Sequence, residues 1–212
     1  MILFVNYNNS FYYRKELDDM FLDRCRTFTH RLKWVPSMND REVDQFDTYM
    51  AKPTYMICVD EDKNYLGSAR FLDTTGKNML KDVFSYLMPD GGIPNDPHTL
   101  ELSRVTIVNK GQNRVRGFLS PVLGELLMGM YVYANNIGYK NCLAVLDDRM
   151  YRIMKLSGMD VKLLAPPYLH HDEDGDHYAY VGLIATNKEN YERGCKIYNI
   201  NSLDSNIKVF WK

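Results

Sequence analysis

Short runs rich in β-branched and aromatic residues alternate with stretches of helical period along the 212 residues, which argues for a three-layer α/β/α sandwich on a mixed central sheet. Composition agrees: hydrophobic residues make up 45%, charged residues 25% and aromatics 13%, so disordered, collagenous and coiled-coil classes are excluded and a packed core is required. The length suits one domain and no repeat interrupts it, so residues 1–212 are read as a single domain.

The elements follow in order. Residues 2–6 read as a strand, and Leu17, Phe21, Cys25, Phe28 and Leu32 recur at helical spacing over about Arg14 to Trp34. Pro36, Ser37, Asn39 and Asp40 break that period, so 35–50 is an ordered loop carrying Asp44 and Asp47 around Phe46. Two strands, Thr54–Val59 and Tyr65–Phe71, flank the charged turn at 60–64 as an antiparallel hairpin. A short helix at 79–88 and a Gly/Pro-rich loop precede a long strand from Leu100 to Val108. A Leu/Met-rich helix spans Gly117 to Asn136 and stops before Gly138, and a strand follows at 142–146. A basic helix at 149–157 ends at Gly158. Then come a strand near 160–164, a loop through Pro166 and Pro167, a strand at 177–186 and a helix near 187–197.

Lys and Arg number 26 against 27 Asp and Glu, a net charge of −1, so no global field recruits nucleic acid or an anionic membrane. Cys25, Cys58, Cys142 and Cys195 show no C-x-x-C spacing and read as reduced thiols. With no signal-like or membrane-spanning run, a cytoplasmic, metal-free protein is expected. The polar run from His170 to His177 has no fixed ligand spacing and reads as a solvated loop.

Three groups of residues could carry chemistry. Strand alternation puts Glu101 and Ser103 on one face and Leu102 and Arg104 on the other, and charges in a central strand are costly unless paired or used. They could serve a reaction or form ion pairs with the N-terminal segment. Arg24 and Phe28, four apart on a helix, with Trp34, Asp44 and Asp47 nearby, could hold a ligand that is cationic, carboxylated and aromatic, or pack as helix against loop. The turn from Lys110 to Leu119, with Arg114 and Arg116, could cradle a phosphate at a helix N-terminus or cap that helix in solvent. Its Arg114-x-x-Gly117-x-Leu119 spacing resembles the acyl-coenzyme-A loop of the Gcn5-related acyltransferases, with Leu119 in place of the last small residue.

Ordered motifs across the first 105 residues resemble the LuxI-type acyl-homoserine-lactone synthases. They are Arg24 with Phe28, Leu32-Lys33-Trp34, Asp44-Gln45-Phe46-Asp47, Gly67-Ser68-Ala69-Arg70, Thr74-Thr75-Gly76 followed by Met79-Leu80, Asp82-Val83-Phe84, and Glu101-Leu102-Ser103-Arg104. The resemblance implies a fold like the Gcn5-related N-acetyltransferases and a two-step reaction without a true cofactor. An acyl chain passes from acyl carrier protein or coenzyme A to the amine of S-adenosylmethionine, and the product closes to a lactone as methylthioadenosine leaves. It implies that Arg24, Arg104 and Ser103 bind S-adenosylmethionine with Phe28, Trp34, Asp44 and Asp47. It implies also that Glu101 is the general base and that Arg70 holds Glu101 or Asp47.

An acyl slot is expected from Met79, Phe84, Leu123, Leu127, Leu143, Ala144, Leu146 and Met154. Ala144, where relatives preferring 3-oxo chains often carry threonine, favours unsubstituted chains. Carrier docking is expected on Arg149, Arg152 and Lys155, with Arg114 and Arg116; the alternative for that stripe is a solvated helix face. Lys33 and Ser85 replace the family's usual glycine and proline. A coenzyme-A-dependent N-acyltransferase of the same fold and a silent S-adenosylmethionine or carrier binder are the competing readings.

Overall fold

The computed structural model describes residues 1–35, 40–108, 119–172 and 175–200. Among these residues, eight strands form a mixed sheet in the order β1-β2-β3-β4-β5-β8-β6, with β7 beside β6 on the outer edge of β8. The strands are β1 (Ile2–Val5), β2 (Thr54–Val59), β3 (Tyr65–Asp73), β4 (Thr99–Ile107), β5 (Asn141–Asp147), β6 (Val161–Leu163), β7 (Tyr168–Asp172) and β8 (Gly175–Ala185). All neighbours run antiparallel except β4 and β5.

Helices cover both faces, as the alternating pattern requires. On one face, α1 (Arg14–Arg24) lays Leu17, Met20 and Phe21 on Leu3, Val5, Tyr55 and Ile57, and the short α2 (Met79–Asp82) packs Leu80 with Leu143 and Val181. On the other, α3 (Pro121–Ile137), α4 (Asp148–Leu156) and α5 (Lys188–Tyr198) enclose the larger core. The α3 helix is buried nearly all round because α5 covers its outer side. A Cβ at Gly124 would stand 2.3 Å from Tyr198, and one at Gly194 would stand 2.3 Å from Met128.

Local chemistry sets the ends. Pro121 occupies the first turn of α3, so this helix begins four residues later than the apolar pattern suggests. Gly138 closes it at φ 96°. Asp147 and Asn187 cap α4 and α5 through the amides of Met150 and Asn190.

Two expectations are corrected. The first helix is not one α-helix to Trp34: after Arg24 the chain widens into a π-helical turn, Cys25–Arg31, in which Leu32 N donates to Thr27 O at 2.9 Å. That turn delivers Lys33 at φ 54°, a left-handed conformation suited to glycine, so the lysine keeps a backbone path that its side chain disfavours. The stretch after Pro167 is not a loop either. Its register pairs His170 with His177 and His171 with Asp176, and Gly175, at φ 119°, opens β8 opposite Asp172. Its packed face, Tyr168 and His170 against Tyr86, is aromatic and polar, so it lacks the apolar alternation by which strands are recognised.

Candidate active site

Three arginines and three carboxylates meet on the α1 face of the sheet. Arg24, at the end of α1, grips Asp47 with two nitrogens at 3.0 and 2.8 Å and Glu42 through Nε at 2.5 Å. Arg70, on β3, donates to Asp44 at 2.6 Å, to Asp47 at 2.9 Å and to Ser103 Oγ at 3.2 Å. Arg104, on β4, reaches Glu42 and Asp44, each at 3.0 Å. Tyr55 donates to Asp47 at 3.0 Å. The Arg24 and Asp47 side chains are 1% and 0% exposed, and charges so buried persist only when fully paired.

Burial would raise the Asp47 carboxyl, but the Arg24 and Arg70 guanidiniums outweigh it and hold the group below its ordinary range. Burial likewise lifts the Tyr55 phenol, and its neighbour Asp47 lifts it further. Sequence reasoning found five of the six charged members and missed Glu42. The signal available was the rhythm Glu42-x-Asp44-x-x-Asp47, three acids in six residues opposite three arginines. Tyr55 was also missed, and nothing in its apolar strand marks it.

Arg104 is the member that strand alternation misplaces. Between Ser68↔Thr106 and Arg70↔Ser103 the β4 strand carries one residue more than β3, a β-bulge, and Arg104 takes φ 55° there. The bulge turns its side chain to the face of Glu101 and Ser103, not of Leu102. Its guanidinium lies 5.0 Å over the Phe28 ring, and Trp34 stands beside Phe28 with ring centroids 5.9 Å apart. Trp34 is 58% exposed, so this aromatic pair borders solvent while the ionic cluster lies beneath.

Glu101 is nearly fully buried, and its oxygens accept the amides of Met79 at 2.9 Å and Leu80 at 2.7 Å, capping α2. Burial raises its pKa, against the lowering pull of those two amides and of Arg70. Beside it the sheet opens. The β4–β5 pairing runs from Thr99↔Asn141 to Leu102↔Ala144. Beyond it β4 follows β3 as far as Ile107, and β5 follows β8 as far as Asp147. The strands splay into a cleft whose backbone groups can serve a ligand.

A family model described as autoinducer synthase matches residues 8–193. The chain belongs to that family. An acyl-homoserine-lactone synthase of Pseudomonas aeruginosa is 31% identical over 72% of this chain and 76% of its own length. One of Agrobacterium fabrum is 27% identical over 91% of this chain and 90% of its own. The coenzyme-A-dependent acyl-homoserine lactone synthase BjaI, solved with S-adenosylmethionine and isopentyl-coenzyme A, shares the fold at 20% identity. Its TM-score is 0.82 over 95% of this chain and 90% of that one. Membership of the autoinducer synthases makes this chain an acyltransferase, on the α/β fold of the Gcn5-related enzymes.

Within this autoinducer synthase, the eight residues expected to line one acyl slot are divided by the sheet. Leu123, Leu127, Ala144, Leu146 and Met154 belong to the core on the α3 face. Phe84, Leu143 and Met79 lie on the opposite face, and Met79 Sδ accepts from Arg70 at 3.1 Å. Alternation along β5 causes the division, sending Leu143 to one face and Ala144 and Leu146 to the other. Arg149, Arg152 and Lys155 form an exposed stripe on α4, which starts where β5 leaves the cleft. Arg114 and Arg116 lie outside the described residues. No helix among the described residues is long and apolar enough to cross a membrane.

Proposed function

We propose that this autoinducer synthase acylates the α-amine of S-adenosylmethionine from a carrier-protein or coenzyme-A thioester and then closes the product to an acyl-homoserine lactone. The observation that carries the reading is the paired arginine–carboxylate cluster lying beneath an aromatic pair and beside the open β4–β5 cleft.

S-adenosylmethionine presents a sulfonium, a carboxylate, an amine and an adenine, and this site has a complement for each. Arg104, the most exposed of the three guanidiniums at 13%, meets the carboxylate; Arg24 acts behind it by fixing Glu42 and Asp47. Phe28 and Trp34 receive the adenine or the sulfonium. Asp44, 18% exposed, faces the cationic end, and Ser103 lies at the mouth of the cleft. Arg70 orients Asp44 and Asp47.

The thioester enters between the splayed strands. The amine nitrogen attacks its carbonyl carbon, the carbon–sulfur bond breaks, and the carrier leaves as a thiolate that takes its proton from solvent. Glu101 takes the amine proton through water, since its own oxygens are engaged by Met79 and Leu80; its raised pKa suits the task, and such a base contributes about 10²- to 10⁴-fold. In the second step the tethered carboxylate displaces methylthioadenosine from the γ-carbon. That step is intramolecular, so positioning alone supplies roughly 7–11 kcal/mol.

Incubation with S-adenosylmethionine and a panel of acyl-carrier-protein and acyl-coenzyme-A donors, followed by mass spectrometry, tests this reading. Methylthioadenosine and acyl-homoserine lactone appearing together support it and name the donor. An acylated amine without methylthioadenosine points to a simple N-acyltransferase, and no turnover despite S-adenosylmethionine binding points to a silent binder; either overturns it.

A further inference from the structure

Four buried polar side chains that the chemistry above does not use form one network between α1, β3 and β4. Tyr65 Oη lies 2.8 Å from Ser68 Oγ and 2.7 Å from Thr106 Oγ1, and it donates to Asp23 at 3.3 Å. The Ser68 and Thr106 hydroxyls are 3.3 Å apart, so Tyr65 joins both of them to the Asp23 carboxylate. All four residues are less than one-tenth exposed. Four apolar side chains would fill this space without polar groups to satisfy, so the network is better explained by the arrangement it specifies than by stability.

That arrangement is the parity of β4. Leu100 and Leu102 face the α3 core, and in an unbroken strand Arg104 and Thr106 would follow them into it while Val105 and Ile107 turned to α1. The bulge reverses this. Val105 and Ile107 pack on the α3 core, Thr106 meets Tyr65 and Ser68, and Arg104 turns to the ionic cluster. Arg104 accepts a left-handed backbone to do so, and strain of this kind persists only where the surroundings over-determine it. One restraint is its own ion pairs to Glu42 and Asp44. The other lies two residues on, where Thr106 is held in the network. Gly67 completes the seat, because a Cβ there would stand 2.6 Å from the Thr106 carbonyl oxygen.

We propose that Asp23, Tyr65, Ser68 and Thr106 are positioning residues that lock β4 in its bulged register and thereby keep the Arg104 guanidinium in the substrate site. The kinetic consequence rests on the synthase reading, whereas the register itself does not.

The test compares Thr106→Val and Thr106→Ser in the full chain by kinetics and by crystal structure. Thr106→Val has nearly the shape of threonine but lets residue 106 enter the α3 core. It is expected to raise KM for S-adenosylmethionine by about tenfold, with kcat and the KM for the acyl donor changed by less than about threefold. Its crystal structure is expected to show Arg104 out of the left-handed region and away from Glu42 and Asp44. Thr106→Ser, which keeps the hydroxyl, restores both. If Thr106→Val fails to fold, Tyr65→Phe serves in its place and shifts the same quantities in the same direction by a smaller factor. An unchanged KM with the bulge retained overturns the proposal, as does a uniform loss that serine does not rescue. Should the wild type make no lactone, the synthase reading falls and the variant crystal structures alone decide: a retained bulge overturns the proposal and a lost one supports it.

Discussion

Asp47 and Glu101 show how one face of a sheet gives two carboxylates opposite properties. Asp47 accepts from Arg24, Arg70, Tyr55 and the amide of Asp44, so its charge is held against burial. Glu101 accepts only two amides and rises under burial, which makes it the better proton acceptor. Glu101→Gln should therefore leave S-adenosylmethionine binding within about twofold by calorimetry while lowering turnover at least about tenfold. Unchanged turnover would remove Glu101 as the base and leave it the cap of α2. Arg104 sets the limit of reading residues from sequence. Its type announced pairing or chemistry, but strand alternation put it on the wrong face, because a bulge is a property of two strands together.

At the scale of elements, the π-helical turn after α1 joins Arg24 in the cluster to Phe28 and Trp34 at its rim. Its exit through Lys33 at φ 54° carries a cost that glycine would not. Lys33→Gly is expected to raise stability by about 1 kcal/mol, seen as a higher melting temperature with S-adenosylmethionine affinity unchanged. A lower melting temperature would mean that the lysine side chain contributes more than the backbone strain removes. The exposed stripe on α4, expected from the sequence to dock the carrier, belongs to a different element. Arg149→Glu with Arg152→Glu should raise KM for an acyl carrier protein donor by about tenfold or more and leave KM for S-adenosylmethionine nearly unchanged. Equal changes in both would indicate damage to α4 rather than to docking. Helical spacing revealed α1, and the Leu/Met-rich run with its Gly138 stop revealed α3, which is buried nearly all round. Neither signal could reveal β7, whose His170 and His171 carry no apolar period and are held by their ladder to β8, by the Tyr86 and Tyr168 rings and by Asp176.

For the whole molecule, the ionic cluster ties the loop at 40–47 to α1, β3 and β4, so folding stability should depend on its charge state. Asp47 has a folded pKa below its unfolded value of about 3.9. Its contribution is therefore present in full above that pH and lost as pH falls toward the folded value. Asp47→Asn, which leaves two arginines short of a partner, is expected to cost about 3–5 kcal/mol at pH 7 in chemical denaturation. The gap to wild type should narrow below about pH 4; a gap that stays constant with pH would show that the loss is packing rather than charge. Sequence by itself determined the α/β class, the order of most elements, the family resemblance and most of the charged site, because these depend on residue type, period and local capping. Tertiary structure alone decided that Glu42 and Tyr55 complete the cluster, that Arg104 turns inward at a bulge, that the expected acyl slot is split by the sheet, and that β4 and β5 part after Leu102 and Ala144. The physical reason is plainest for Arg104 and for the parting of β4 and β5: register and strand pairing are agreements between distant segments, and no local pattern in either segment encodes them.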